Sequence, residues 1–342
     1  MVYGRLDMEY RELGKTGMRV SAVGFGALVI QNKPEKQAVE VVRKALEMGI
    51  NFFDTARCYG DSEIKIGKAL QGVRDRYYIA TKSLERTKKS LKDELETSLR
   101  NLKVDTIDLY QIHDLRKPED YDRVMGPGGA LEAVLDAQKE GKVRHIGVSS
   151  HQPTLIVKAM ETGYFETVQI PYNIIDYELF QHVIPVANRM NMGTIVMKPF
   201  AGGLFKDASK ALRFVLSHPI TTVIPGMGSL EELEENLRVT ENATVLSDEE
   251  LSELKQEADR LGKDLCRRCG YCLPCPQGID IPTVFRYQRY LDTYYQEEWA
   301  REQYAALKTQ ADRCIECGSC ESRCPYELKI TDKLKVAHEV LK

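Results

Sequence analysis

The chain reads as a (β/α)8 barrel of the TIM type followed by a small cysteine-rich helical domain. Three observations predict this. Short β-rich runs alternate eight times with helical stretches between residues 20 and 239. Polar residues capable of chemistry recur where the β-runs end. Eight of the nine cysteines fall between Cys266 and Cys324, beyond the last alternation.

A chain of 342 residues exceeds the length at which single cores stop growing, so one large domain and one small one are expected. The division expected is 1–261 for the barrel and 262–342 for the second domain. Hydrophobic residues make up 43% and charged residues 29%, with a net charge of −3. That balance points to neither nucleic acid nor an anionic membrane as a partner. The stretch Met1–Tyr10 lacks the apolar core of a signal peptide, and no apolar run approaches the ~18 residues of a membrane helix. The expectation is a cytoplasmic protein, in which clustered cysteines read as metal ligands rather than disulfides.

The β-runs expected are 20–28, 50–55, 77–82, 106–112, 143–149, 167–172, 193–198 and 221–225. The helices expected are 35–48, 62–70, 88–101, 129–140, 153–161, 179–190, 207–217 and 229–239. Ahead of them, Gly14 and Gly17 among apolar residues suggest a short hairpin that plugs one end. Val39, Val42, Ala45 and Leu46 show the helical apolar spacing, and Gly49 stands where a helix C-cap belongs. Such alternation fits a barrel. An open doubly wound sheet is the competitor, but Gly24-Phe25-Gly26-Ala27 lacks the full Gly-x-Gly-x-x-Gly phosphate fingerprint.

Barrel chemistry sits at the C-terminal ends of the strands. Asp54 ends the second β-run, with Tyr59 on the loop beyond it. Lys82 closes the third and His113 the fourth. Ser149 and Ser150 close the fifth, Gln169 lies in the sixth and Lys198 ends the seventh. Each alone has an ordinary structural explanation, such as a capping Asp or a surface Lys. Together they make a proton-transfer set. A phenol with a pKa near 10 is a poor donor at neutral pH, and an adjacent Lys⁺ favours the phenolate. Asp54 would fix Lys82 in its charged form, and His113 would orient a carbonyl oxygen. The set suits protonation of that oxygen while a hydride reaches the carbon.

On these residues, and on Asp-Thr-Ala-x-x-Tyr-Gly at 54–60, the chain resembles the aldo-keto reductase superfamily over about residues 10–245. The resemblance implies a TIM barrel with a nicotinamide cofactor and an Asp54-Tyr59-Lys82-His113 tetrad. Tyr59 would be the general acid, tuned by Lys82 and Asp54. It further implies that Ser149 and Gln169 hold the carboxamide. The stretch 197–203, with Lys198, Pro199, Phe200 and Gly202, would lie beneath the nicotinamide and pyrophosphate. Pro225, Gly226, Gly228 and Ser229 would form the phosphate loop, and Glu235 and Asn236 the adenine-side pair. Between Gly226 and Asn236 there is no Lys or Arg to meet a 2′-phosphate. Glu232 stands there instead and could accept from a ribose 2′-OH. NAD(H) or NADP(H) is expected, with a lean to NAD(H).

Cys266, Cys269, Cys272 and Cys275 are spaced by three and followed by Pro276. Cys314, Cys317, Cys320 and Cys324 repeat the pattern before Pro325, with a longer last gap. The second set resembles the bacterial ferredoxin run, in which the fourth thiolate serves the other cluster. Four-cysteine zinc is the alternative. The expectation is two [4Fe–4S] clusters, partitioned as Cys266, Cys269, Cys272 and Cys324 against Cys314, Cys317, Cys320 and Cys275. Residues 247–261 read as a helix closing the barrel, and 282–312 and 329–341 as further helices, the α-helical type of ferredoxin-like domain. Phe285, Tyr287, Tyr290, Tyr294, Tyr295, Trp299 and Tyr304 read first as packing, then as a docking face for an electron partner.

The function expected is therefore an NAD(P)H-dependent oxidoreductase interconverting a carbonyl and an alcohol, similar to the iron–sulfur subgroup of that superfamily. Its clusters would be structural or would serve a one-electron partner protein. The alternative is a non-catalytic redox sensor or electron-transfer module that binds nucleotide in its barrel. Cys58, beside Tyr59, reads as an ordinary lining residue before it reads as a reactive thiol.

Overall fold

A computed structural model describes residues 8–205, 207–241, 245–262, 264–267, 270–292, 296–324 and 326–342. It divides into two compact units, Met1–Leu254 and Lys255–Lys342.

The first unit opens with an antiparallel hairpin of β1 (Tyr10–Glu12) and β2 (Arg19–Ser21). Leu13, Met18 and Val20 of this hairpin pack with Phe52, Ala80, Leu109, Ile195 and Ile224 from the strands that follow. The hairpin thus packs on apolar side chains from several barrel strands and removes them from water. The stretch expected as one strand, 20–28, is thus split. Val20 pairs in the hairpin, and the barrel strand itself is only Phe25–Gly26.

Eight strands form one sheet: β3 (Phe25–Gly26), β4 (Phe52–Asp54), β5 (Tyr78–Ser83), β6 (Ile107–Ile112), β7 (Val143–Ser149), β8 (Thr167–Pro171), β9 (Gly193–Met197) and β10 (Thr222–Ile224). They pair in sequence order and in parallel. Parallel bridges Val23–Val223 and Gly26–Gly226 join the first strand to the last. A doubly wound sheet would reverse its strand order at a switch point; sequential order with joined ends is a barrel. Closure needs Gly26, because a Cβ there would stand 2.6 Å from the Ile224 carbonyl oxygen and 2.7 Å from that of Pro225.

Helices follow the strands and cover them with apolar faces. In Glu35–Glu47 that face is Ala38, Val41, Val42, Ala45 and Leu46. The Thr87 side chain caps Lys88–Leu102 by accepting from Ser90 N. Two departures from the sequence reading occur. Between the expected β-run 106–112 and helix 129–140 lies a further helix, Pro118–Met125, which starts with proline where its missing N–H costs nothing. The single helix expected at 179–190 is two, Tyr177–Phe180 and Val183–Arg189.

The second unit is helical. The division falls inside Asp248–Gly262, and Ile281–Asp292, Glu297–Ala305 and Ile330–Leu341 follow. Phe285, Tyr287 and Tyr304 are in its buried core, with Tyr290 and Trp299 packed against them. The Tyr304 hydroxyl accepts from Ala311 N and lies 2.7 Å from His338 Nδ1. Tyr294 and Tyr295 lie outside the described residues. No helix among the described residues is long and apolar enough to cross a membrane.

The cluster expectation is corrected here. Among the described residues no group of three or more His, Cys, Asp or Glu side chains is arranged to hold a metal ion. Of the described cysteines, Cys275, Cys314, Cys317, Cys320 and Cys324 are free thiols; Cys269 lies outside the described residues. Cys275, Cys314, Cys317 and Cys320 line one small cavity. Cys272 and Cys320 are buried in the unit's core, whereas Cys317 is exposed, 3.5 Å from Ser319 Oγ. Spacing along the chain supplied the donors but does not make their sulfurs converge. The described residues do not fit two [4Fe–4S] centres or a four-cysteine zinc, and the partner protein expected from those clusters loses its basis.

Candidate active site

Asp54 is the last residue of β4, Lys82 lies near the end of β5 and His113 follows β6. The barrel therefore brings residues distant in sequence to one end. Asp54 and Lys82 are buried. Lys82 Nζ donates to Asp54 Oδ1 at 2.5 Å and to the Thr55 carbonyl at 2.8 Å. The same ammonium stands 5.3 Å from the centre of the Tyr59 ring. The Tyr59 and His113 rings meet edge to face with centroids 6.0 Å apart. All four residues expected to act together are thus at one place.

Their supports were not read from the sequence. Gln111 donates to Asp54 Oδ2 at 3.0 Å. It lies two residues before His113 along β6, and that spacing was the available signal, since alternate strand residues share a face. Arg57 fixes the loop that carries Tyr59. Its N–H donates to the Lys82 carbonyl, and its guanidinium pairs with the buried Glu63 at 3.1 Å and with Glu94 at 2.9 Å. Glu63 also accepts from Thr81 Oγ1 and Asn101. Arg86 donates to the carbonyls of His113 and Asp114 at 2.8 and 2.7 Å. Asp114 has a left-handed backbone, φ +52°, and its carboxylate meets Arg116 at 2.5 Å and His151 Nδ1 at 2.8 Å. These contacts come from different strands and loops, so only the fold reveals them.

The electrostatics favour a neutral imidazole. Burial first, then the Lys82 cation, hold the His113 pKa well below its ordinary value, with Asp114 opposing and Arg116 and Arg86 assisting. Desolvation by the surrounding protein raises the Cys58 thiol to about 11 although the side chain is exposed, and despite Lys82 and Arg116, which pull it down. The thiol therefore stays protonated near neutral pH, against the reading of Cys58 as a reactive thiolate. Its Sγ lies 3.6 Å from His113 Nδ1. Burial opposes ionisation of Asp114, yet Arg116 and His151 hold its carboxyl well below the usual carboxylate range.

The residues present fit a nicotinamide group. Gln169 is buried and donates Nε2 toward Asp54 Oδ1 at 3.4 Å, while its Oε1 is buried without a hydrogen bond. A carboxamide N–H would satisfy that oxygen. Ser149 Oγ accepts from Asp114 N, which leaves its own proton for another acceptor. Lys198, Pro199, Phe200 and Gly202 form the turn after β9. Lys198, Ala201 and Gly202 have positive φ, and Asn173 Nδ2 ties down the Lys198 carbonyl at 3.0 Å.

After β10, Pro225, Gly226, Gly228 and Ser229 lead into the helix Leu230–Arg238. Ser229 Oγ accepts from Glu232 N, and Glu232 Oε2 accepts from Gly228 N at 2.6 Å. Glu232 is thus already turned onto its own loop. Glu235 is exposed, whereas Asn236 is buried beside Leu233 and Leu237. The two expected adenine-side residues therefore occupy different helix faces. A Cβ on Gly228 would meet Lys33 Cε at 2.6 Å and Lys33 Nζ at 3.5 Å. Lys33, far upstream, brings to this loop the basic group that 226–236 lacks. The ground for a lean to NAD(H) is removed.

Comparison with known proteins agrees with this geometry. The sequence model of the aldo/keto reductase family matches residues 22–210, and that of a 4Fe-4S dicluster domain matches residues 265–329. The second match is one of sequence, and the described side chains do not assemble the corresponding ligand sets. L-galactose dehydrogenase of Arabidopsis thaliana is 32% identical over 306 residues, covering 72% of this chain and 93% of that protein. Among solved structures, aldo-keto reductase AKR11C1 from Bacillus halodurans, holo form, is 26% identical with a TM-score of 0.63, covering 74% of this chain and 96% of that one. An aldo-keto reductase from Klebsiella pneumoniae in complex with NADPH shares the fold at 24% identity and a TM-score of 0.62, covering 73% and 94%.

Proposed function

Since the chain belongs to the aldo/keto reductase family and is an NAD(P)H-dependent oxidoreductase, we propose that it interconverts a small-molecule carbonyl and its alcohol through Asp54, Tyr59, Lys82 and His113. The rival expectation, a non-catalytic sensor or electron-transfer module, is overturned by that membership. The observation that carries the proposal is the buried Lys82–Asp54 pair at 2.5 Å with its ammonium 5.3 Å from the Tyr59 ring.

A bound nicotinamide supplies or accepts the hydride. Tyr59 gives its phenolic proton to the carbonyl oxygen in reduction and takes it back in oxidation. Lys82, beside the phenol, stabilises the phenolate that remains. Asp54, held by Lys82, Gln111 and Gln169, fixes where that cation sits. His113, kept neutral, directs the carbonyl oxygen. Gln169 and Ser149 take the carboxamide, and the turns at 198–202 and 225–229 hold the rest of the dinucleotide, with the helix Leu230–Arg238, which carries Glu235 and Asn236 on different faces, toward the adenine. We place the functional boundary at 261/262 and assign the enzyme to the cytoplasm, where nicotinamide nucleotides are kept. The ferredoxin-like reading of 262–342 is supported by the sequence match over 265–329 and carries no clusters with it.

Tyr59→Phe tests the reading. Turnover of a panel of aldehydes, ketones and sugars with NADPH or NADH should fall by about 10²–10⁴-fold, with nucleotide binding by fluorescence titration retained. Full turnover by Tyr59→Phe would remove the proposal.

A further inference from the structure

We propose that the Cys58 thiol donates to His113 Nδ1 and thereby fixes the imidazole as its Nε2–H tautomer, so that His113 donates a hydrogen bond to the substrate oxygen. This deepens the function proposed above and rests on it for the role of His113.

A neutral imidazole has one nitrogen that donates and one that accepts, and the partner of the first nitrogen decides the role of the second. Around His113, the contact that distinguishes the two is Cys58 Sγ, 3.6 Å from Nδ1. If Nδ1 carried the proton, Nε2 would present a lone pair to a carbonyl oxygen and repel it. With the proton on Nε2, Nδ1 needs a donor, and a thiol is one. The Cys58 side chain is exposed, and a thiol whose pKa is raised to about 11 keeps its S–H near neutral pH.

The surroundings keep the pair in place. Arg86 holds the His113 and Asp114 carbonyls, so the backbone under the ring is fixed from a separate strand end. Arg57, next to Cys58, is tied to Glu63, Glu94 and the Lys82 carbonyl. The charged groups facing the ring are Lys82, Arg116, Arg86 and Asp114. The cations among them disfavour imidazolium, leaving tautomer choice as the variable that Cys58 sets. Cys58 is therefore a positioning residue that acts through His113.

The test reads the tautomer directly. In protein labelled with ¹⁵N-histidine, long-range ¹H–¹⁵N spectra report which ring nitrogen carries the proton, and His113→Gln assigns the signal among the six histidines. The wild-type protein should show His113 protonated on Nε2 and unprotonated on Nδ1. Cys58→Ala should move the two nitrogens toward averaged values, lower kcat about 5-fold and leave nucleotide affinity unchanged. Cys58→Ser, which keeps a donor, should restore the wild-type spectrum and most of kcat. A wild-type ring protonated on Nδ1, or an unchanged His113 spectrum in Cys58→Ala, would overturn the inference. The wild-type spectrum needs no turnover, so its failure is separate from a failure of the Tyr59 test.

Discussion

Lys82 and Asp54 form an ion pair of 2.5 Å between neighbouring strands, with both side chains almost wholly removed from water. Such a pair has already lost its hydration, so removing one partner leaves the other charge buried and uncompensated. Asp54 is also the acceptor for Gln111 and Gln169, so the pair is the centre of the polar layer beneath Tyr59. Asp54→Asn should cost about 3–5 kcal/mol of stability as well as turnover, measured by urea denaturation. Adding Lys82→Met to that variant should recover much of the stability and none of the activity. If Asp54→Asn unfolds at the wild-type midpoint, the pair is not the constraint described.

His113 sets a pH dependence whose sign follows from its environment. Its folded pKa is depressed, chiefly by burial and then by Lys82. Between the folded value and the unfolded one near 6.5, the unfolded chain binds more protons. Stability is then fully present above about pH 6.5 and lost as pH falls below it, by up to about 1.4 kcal/mol per pH unit per group. His218, also lowered by burial, adds to the same window. His113→Gln should flatten the fall in urea midpoint between pH 7.5 and 5.5 without abolishing it. An identical slope in the variant would contradict the depressed pKa.

Lys33 should set nucleotide preference. It packs on Gly228 across from Glu232, whose carboxylate is engaged by the Gly228 N–H. A lysine there meets a 2′-phosphate as a point charge. Lys33→Ala should weaken NADPH binding about 10-fold, the scale of one charge-assisted contact, and leave NADH within about 2-fold. Fluorescence titrations with both nucleotides decide it, and equal losses for the two would remove Lys33 from the phosphate subsite.

What could be read in advance divides by the range of the interactions. The eightfold alternation, and Asp54, Lys82 and His113 at successive strand ends, follow from local periodicity and from where barrels keep their chemistry. The splitting of 20–28 does not, because Val20 is claimed by the hairpin partner Arg11 rather than by its own propensity. Gln111, Arg86 and Lys33 act on residues that only the tertiary fold brings near. The cysteines show the opposite hazard. Cys314, Cys317 and Cys320 have the spacing of a ligand run, but convergence of sulfurs is tertiary, and the described thiols do not achieve it.

Gly26 ties the closure of the barrel to the nucleotide loop, so one substitution should disturb both. Its N–H donates to the Pro225 carbonyl at 2.9 Å, and Gly26 and Gly226 form a parallel bridge. A Cβ at Gly26 would press on the carbonyl oxygens of Ile224 and Pro225, which are backbone and cannot rotate away as a side chain would. Gly26→Ala must therefore push β10 and the start of the 225–229 turn outward. The expected cost is about 1–3 kcal/mol, that of an overpacked contact, read as a lower urea midpoint. Because Pro225, Gly226 and Gly228 belong to the proposed phosphate loop, nucleotide affinity should fall in the same variant, for NADPH and NADH alike. That shared loss separates Gly26→Ala from Lys33→Ala, which should discriminate between the two nucleotides. A Gly26→Ala protein of lowered stability but wild-type nucleotide affinity would mean that the turn at 225–229 is held independently of barrel closure.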